Sequence, residues 1–88
     1  MSPWNVQLSS PAVRNLDRLP PRVVPAVVEF LYGPLADDPK RVGKLLRGAL
    51  EGIYSARRGD YRVLYELIDD RQLVLVVRIA HRTAANRD

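Results

Sequence analysis

The stretch Ser55-Ala56-Arg57-Arg58-Gly59-Asp60-Tyr61-Arg62-Val63-Leu64-Tyr65 decides the fold of this chain, because Gly59-Asp60 is a two-residue hairpin signal between two β-rich runs. The runs are residues 52–58 and 61–68, which read as strands from their Ile, Tyr, Val and Leu content. Asp69-Asp70-Arg71-Gln72 is a polar turn, and residues 73–80 form a third apolar strand. A two-residue loop pairs Arg58 with Tyr61, Arg57 with Arg62 and Ser55 with Leu64. Arg57 and Arg62 then stand opposite each other on one sheet face. Opposed like charges destabilise a sheet, whereas two guanidinium forks side by side suit a phosphate. The bland alternatives are that both arginines splay into solvent, or that a bulge shifts the register.

Upstream of the hairpin the period is helical. Residues 4–8 alternate and read as a strand, and Ser9-Ser10-Pro11 is a serine cap followed by proline at the first helical position. Ala12, Val13, Leu16 and Leu19 form one apolar face, which Leu19-Pro20-Pro21 ends. Val23, Val24, Val27, Val28 and Leu31 form the stripe of a second helix. Pro25 requires its regular part to start near Val24 or Pro25, and Asp37-Asp38-Pro39 is a stop. The order β-α-α-β-β-β predicts one α+β domain over residues 1–88. Its N-terminal strand joins a mainly antiparallel, four-stranded sheet, and the helical hairpin packs on one face of that sheet.

The strands are apolar on both faces. Strict alternation puts Leu64, Ile68, Leu73, Leu75, Val77 and Ile79 on the side of Arg62. Tyr61, Val63, Tyr65, Leu67, Val74 and Val76 take the other. One helical layer covers one face, so the tail or a second protein chain is expected over the rest.

Composition excludes several classes of function. With 88 residues there is room for one modest core. There is no cysteine and only one histidine, which rules out thiol catalysis, cysteine zinc sites and a histidine-rich metal site. No apolar run approaches the roughly 20 residues of a membrane span, and the N-terminus does not read as a secretory signal, so a cytoplasmic protein is expected. Fourteen Lys and Arg against ten Asp and Glu give a net charge of +4. All the basic residues except Lys40 and Lys44 are arginine, which points to a phosphate-bearing partner or, more blandly, to genome composition. No phosphate-binding glycine loop, nucleophile elbow or zinc-protease pair is present. The paired acids Asp37-Asp38 and Asp69-Asp70 lie in turns, where acidic residues ordinarily serve local hydrogen bonds. His81, beside Arg82 at the end of the last strand, is a candidate base.

Lys44-Leu45-Leu46-Arg47-Gly48, the run from Ser55 to Tyr65 and the ending Ile79-Ala80-His81-Arg82 together resemble the RelE/ParE toxin superfamily, on its RelE side. The resemblance spans nearly the whole chain. It implies a toxin of a type II toxin–antitoxin pair that enters the ribosomal A site and cuts messenger RNA without metal or other cofactor. The ribose 2′-OH attacks the adjacent phosphate, and a cognate antitoxin blocks the toxin. By the same resemblance Arg62 is the central-strand arginine on the reacting phosphate and Arg82 is the second. Arg57 takes a position that is often basic, and His81 is a candidate for proton transfer. Lys44, Arg47, Arg58, Arg78, Arg87 and Asn86 are expected to face RNA or the ribosome. Asn86 stands where many members carry a tyrosine, and Ser55 where the best-known members carry a lysine. Two rivals share the fold: a ParE-like inhibitor of DNA gyrase, and a catalytically weak module that only binds its antitoxin. The arginine pair and the His-Arg ending favour the nuclease; Asn86 and Ser55 favour the weak module.

Overall fold

Ser9 sets the first helix. Its hydroxyl accepts the Ala12 amide at 3.2 Å, and Pro11 occupies the first turn of α1 (Ser10–Arg18), where a missing N–H costs nothing. The computed structural model describes residues 3–48 and 51–85. Leu19 is extended ahead of Pro20-Pro21, which ends α1. The second helix, α2 (Val24–Tyr32), carries Pro25 in its first turn as the sequence requires. Two single turns follow, α3 (Pro34–Asp37) and α4 (Pro39–Val42), each opened by a proline. The expected stop at Asp37-Asp38-Pro39 is therefore a break between turns, since proline is as suited to starting a helix as to ending one.

The sheet has five strands, one more than the sequence indicated. They are β1 (Asn5–Leu8), β2 (Gly43–Leu45), β3 (Tyr54–Arg58), β4 (Tyr61–Ile68) and β5 (Leu73–His81). Their order is β1-β5-β4-β3-β2, with β1 parallel to β5 and the other pairs antiparallel. A last short turn, α5 (Arg82–Ala85), follows β5. The added strand β2 is three residues long, too short to display a period, and forms one edge. Helices and sheet meet on one face only: Ala12, Val27, Phe30, Leu31 and Leu35 pack against Ala56, Val63, Tyr65, Val74, Val76 and Ile79. Leu64, Ile68, Leu73, Leu75 and Val77 stay half-buried on the strands.

Strict alternation fails at one point of β5. Leu64 pairs with Arg78, but the next residue, Tyr65, pairs with Val76, which leaves Val77 as an inserted bulge residue. Ile79 consequently opposes Val63 in the core and is 2 % exposed, so it leaves the Arg62 face to which alternation had assigned it. The backbone at the irregularity is satisfied from outside the sheet. The Ser9 hydroxyl donates to the Val77 carbonyl at 3.2 Å, and Asn15 Oδ1 accepts the Ile79 amide at 3.0 Å. Those bonds fall where β1 ends, beyond its last pair, Leu8 with Val76.

Tyr65 ties β4 to the helical side. It is fully buried, donates its hydroxyl to the Pro39 carbonyl and stacks on Tyr54 at 5.5 Å between ring centres. Burial, with a smaller contribution from Tyr54, pushes its hydroxyl well above the ordinary 10.0. The proton is thus held more tightly in the folded state than in the unfolded one. The stability it supplies is complete below about pH 10 and is lost as the pH climbs further. Chemical denaturation between pH 8 and 11 should show stability falling at the alkaline end, with a shallower fall in Tyr65→Phe. At neutral pH that variant should lose about 1–3 kcal/mol, because the buried Pro39 carbonyl is left unpaired. Equal alkaline slopes in the two proteins would contradict this account.

Candidate phosphate-binding face

Residue register places the cations. Arg58 pairs with Tyr61, Arg57 with Arg62 and Ser55 with Leu64, so the hairpin holds the pairing a two-residue turn demands. Gly59, at φ 61°, takes the first turn position, the left-handed conformation that glycine adopts without a Cβ clash. Lys44 pairs with Ser55 across the β2 edge. The row Lys44–Ser55–Leu64–Arg78 therefore crosses four strands, and the row Arg57–Arg62–Ala80 lies next to it on the same face.

On this face Val42, Lys44, Leu46, Ser55, Arg57 and Arg62 line a depression of about 290 Å³. Three of the six are cationic and none is acidic. Unlike charges at that spacing would neutralise each other; like charges leave a positive concavity with an apolar floor, suited to an anion. A larger cavity of about 590 Å³ opens beside β1, lined by Trp4, Tyr32, Ala36, Arg71 and neighbours. It has one cation and no opposed pair, so it is the weaker candidate for chemistry.

The expected residues divide. Lys44, Arg57, Arg62 and Arg78 share one face. Arg78 belongs there because of the Val77 bulge; strict alternation would have sent it into the core with Val74 and Val76. The same bulge turns His81 away. It pairs with Tyr61, and their rings meet edge to face at 5.4 Å on the helix-covered side, with Nδ1 2.6 Å from Thr83 Oγ1. His81 therefore does not share the face of Arg57, Arg62 and Arg78, where its sequence reading expected a proton-transfer group. Arg58 also points to the helix side, where it lines a cleft with Arg22, Val23 and Tyr61. Arg82, the first residue of α5, pairs with Asp60 at 3.7 Å. Arg47 is exposed just past β2. Asn86 and Arg87 lie outside the described residues. Among the described residues no group of three His, Asp or Glu side chains gathers as a metal site, and no helix is long and apolar enough to cross a membrane.

A helix-backed, twisted sheet presenting opposed arginines on its other face defines a small α+β domain with an anion-receptive surface. The family described as the ParE toxin of type II toxin–antitoxin systems matches residues 6–85. Toxin RelE of Mycobacterium tuberculosis is 48 % identical over 85 residues, covering 97 % of this chain and 88 % of the relative. Toxin RelG of the same organism is 49 % identical over 80 residues, covering 91 % and 92 %. The crystal structure of the M. tuberculosis toxin–antitoxin complex RelBE2 contains a chain that superposes with a TM-score of 0.88 at 49 % identity, over 91 % of this chain and 99 % of that one. This chain belongs to the RelE/ParE family and is a toxin of the type II toxin–antitoxin class.

Proposed function

We propose that the protein is a ribosome-dependent endoribonuclease that cuts messenger RNA in the ribosomal A site, in the cytoplasm, under the control of a cognate antitoxin. The observation that carries this reading is the cross-strand Arg57–Arg62 pair above a cationic depression with no carboxylate in its lining. In the step proposed, the ribose 2′-oxygen bonds to the adjacent phosphorus as the bond from phosphorus to the 5′-oxygen breaks. The 2′-OH proton is released and the departing 5′-oxygen gains one, giving a 2′,3′-cyclic phosphate and a 5′-OH. Negative charge grows on the non-bridging oxygens, and preorganised guanidinium groups stabilise it more in the transition state than in the ground state. Lys44 and Arg78 extend the surface along the RNA backbone; Arg47, Arg58 and the terminal Asn86 and Arg87 serve the wider RNA and ribosome contact. Arg82 supplies a further guanidinium from the start of α5.

The family description names ParE, so gyrase inhibition is the second reading. Purified protein added in parallel to a translating extract and to a gyrase supercoiling reaction separates the two. Cut messenger RNA with unimpaired supercoiling is the expected result; the reverse pattern would make it a gyrase inhibitor.

The antitoxin partner is supported by the complexes in which the structural relatives occur. Val13, Tyr32 and Leu45 are large apolar side chains left 45–55 % exposed, and Leu73 and Leu75 are half-buried on the strands. Hydrogen exchange with the co-encoded antitoxin should slow on the strands or helices that carry them. Unchanged exchange throughout these elements would reject that docking.

A further inference from the structure

Two of the arginines assigned to phosphate are tied to the same two-residue turn. Arg57 Nε donates to the Gly59 carbonyl at 3.3 Å. The Arg82 main-chain amide donates to the Asp60 carbonyl at 2.8 Å, and Arg82 Nε lies 3.7 Å from Asp60 Oδ1. Arg57 is hydrogen-bonded through Nε, whereas Arg82 is ion-paired on its Nε side at 3.7 Å. A guanidinium has five N–H donors in one plane, so a partner at Nε leaves the terminal nitrogens for a second acceptor. Arg57 comes from β3 and Arg82 from the start of α5, and both contact the turn between β3 and β4.

We propose that the Gly59–Asp60 turn is the positioning element of the site: the Gly59 carbonyl and the Asp60 carboxylate hold Arg57 and Arg82 by their Nε edges, so that both terminal forks face one RNA phosphate. The proposal rests on the nuclease reading and adds to it a residue, Asp60, that touches no substrate. The carboxylate also offsets the mutual repulsion of the neighbouring guanidinium groups before RNA binds. Both side chains of the Asp60–Arg82 pair are more than half exposed, so the pair contributes little to folding. Its loss should therefore appear in the reaction and not in the melting temperature.

Single-turnover cleavage on ribosomes should fall roughly ten- to hundredfold in Asp60→Asn, as expected when a catalytic group is displaced by about 1 Å. Ribosome affinity should be unchanged, and Asp60→Glu should recover most of the rate. Asp60→Asn should add nothing to the loss already present in Arg82→Ala, since both remove one device. Independently of activity, NMR relaxation of the Arg82 Nε resonance should show an ion-paired guanidinium of restricted motion in the parent. Asp60→Asn should release that guanidinium. Parent-like cleavage in Asp60→Asn, additive losses in the double variant, or an Arg82 guanidinium as mobile in the parent as in Asp60→Asn would each overturn the proposal. A parent that cuts no messenger RNA overturns the nuclease reading, and the mobility of the Arg82 guanidinium then decides the role of the turn.

Discussion

Arg62→Ala should lose messenger RNA cleavage on ribosomes by roughly 10²–10³, the usual cost of one preorganised charge-stabilising donor. Its melting temperature should stay at the parent value or rise slightly. The reason is the register: Arg62 faces Arg57 directly across β3 and β4, and removing one of two opposed cations relieves up to about 1 kcal/mol of repulsion. A residue present for packing gives the opposite pattern, with stability lost and cleavage kept. Measuring both quantities on one preparation separates the two, and cleavage at the parent rate with a lowered melting temperature would make Arg62 structural.

The largest effect on stability is expected at Gly43. A Cβ placed there would lie 2.0 Å from the Tyr65 hydroxyl oxygen and 3.1 Å from the Ser55 carbonyl. Neither neighbour can yield cheaply. Tyr65 is fully buried and bonded to Pro39, and Ser55 pairs with Lys44 next along the β2–β3 ladder. Gly43→Ala should cost about 1–3 kcal/mol by overpacking, with the Tyr65–Pro39 hydrogen bond at risk in addition. For a domain of this size each kcal/mol lowers the melting temperature by about 4–8 °C. The cause is checked in the Tyr65→Phe background. There the oxygen is gone and the nearest Tyr65 ring atom is Cζ, at 3.0 Å, so Gly43→Ala should cost visibly less than in the parent. Additive losses would show that the clash is not with the hydroxyl.

The hairpin was legible because a Gly-Asp turn between strands of clear period leaves little freedom of register, and Arg57 opposite Arg62 follows from counting outward. Ser9 and Pro25 were legible because caps and first-turn prolines act locally. The sheet's edge was not: Gly43–Leu45 is three residues long and is held by pairing with β3, a contact distant in sequence. The Val77 bulge was hidden for a similar reason, since one inserted residue leaves composition unchanged and reverses the parity of everything after it. A signal did exist. Strict alternation from Val74 and Val76 places Arg78 in the core, and a charge at a core position marks a break in the pattern. Reading that break would have brought Arg78 to the arginine face and moved Ile79 and His81 off it. Asp60 was read only as a turn residue, although its carbonyl and carboxylate both reach Arg82.

On the proposed reading, opposed guanidinium groups on this sheet face promote attack by a ribose 2′-OH on messenger RNA held in the ribosome. The most direct measurement is the chemistry of the RNA ends made by the purified parent protein on programmed ribosomes, with Arg62→Ala as the matched control. The expected result is cuts within the A-site codon that leave a 2′,3′-cyclic phosphate and a 5′-OH, present with the parent and reduced at least a hundredfold in the variant. Intact messenger RNA, or ends carrying a 5′-phosphate and a 3′-OH, would contradict it.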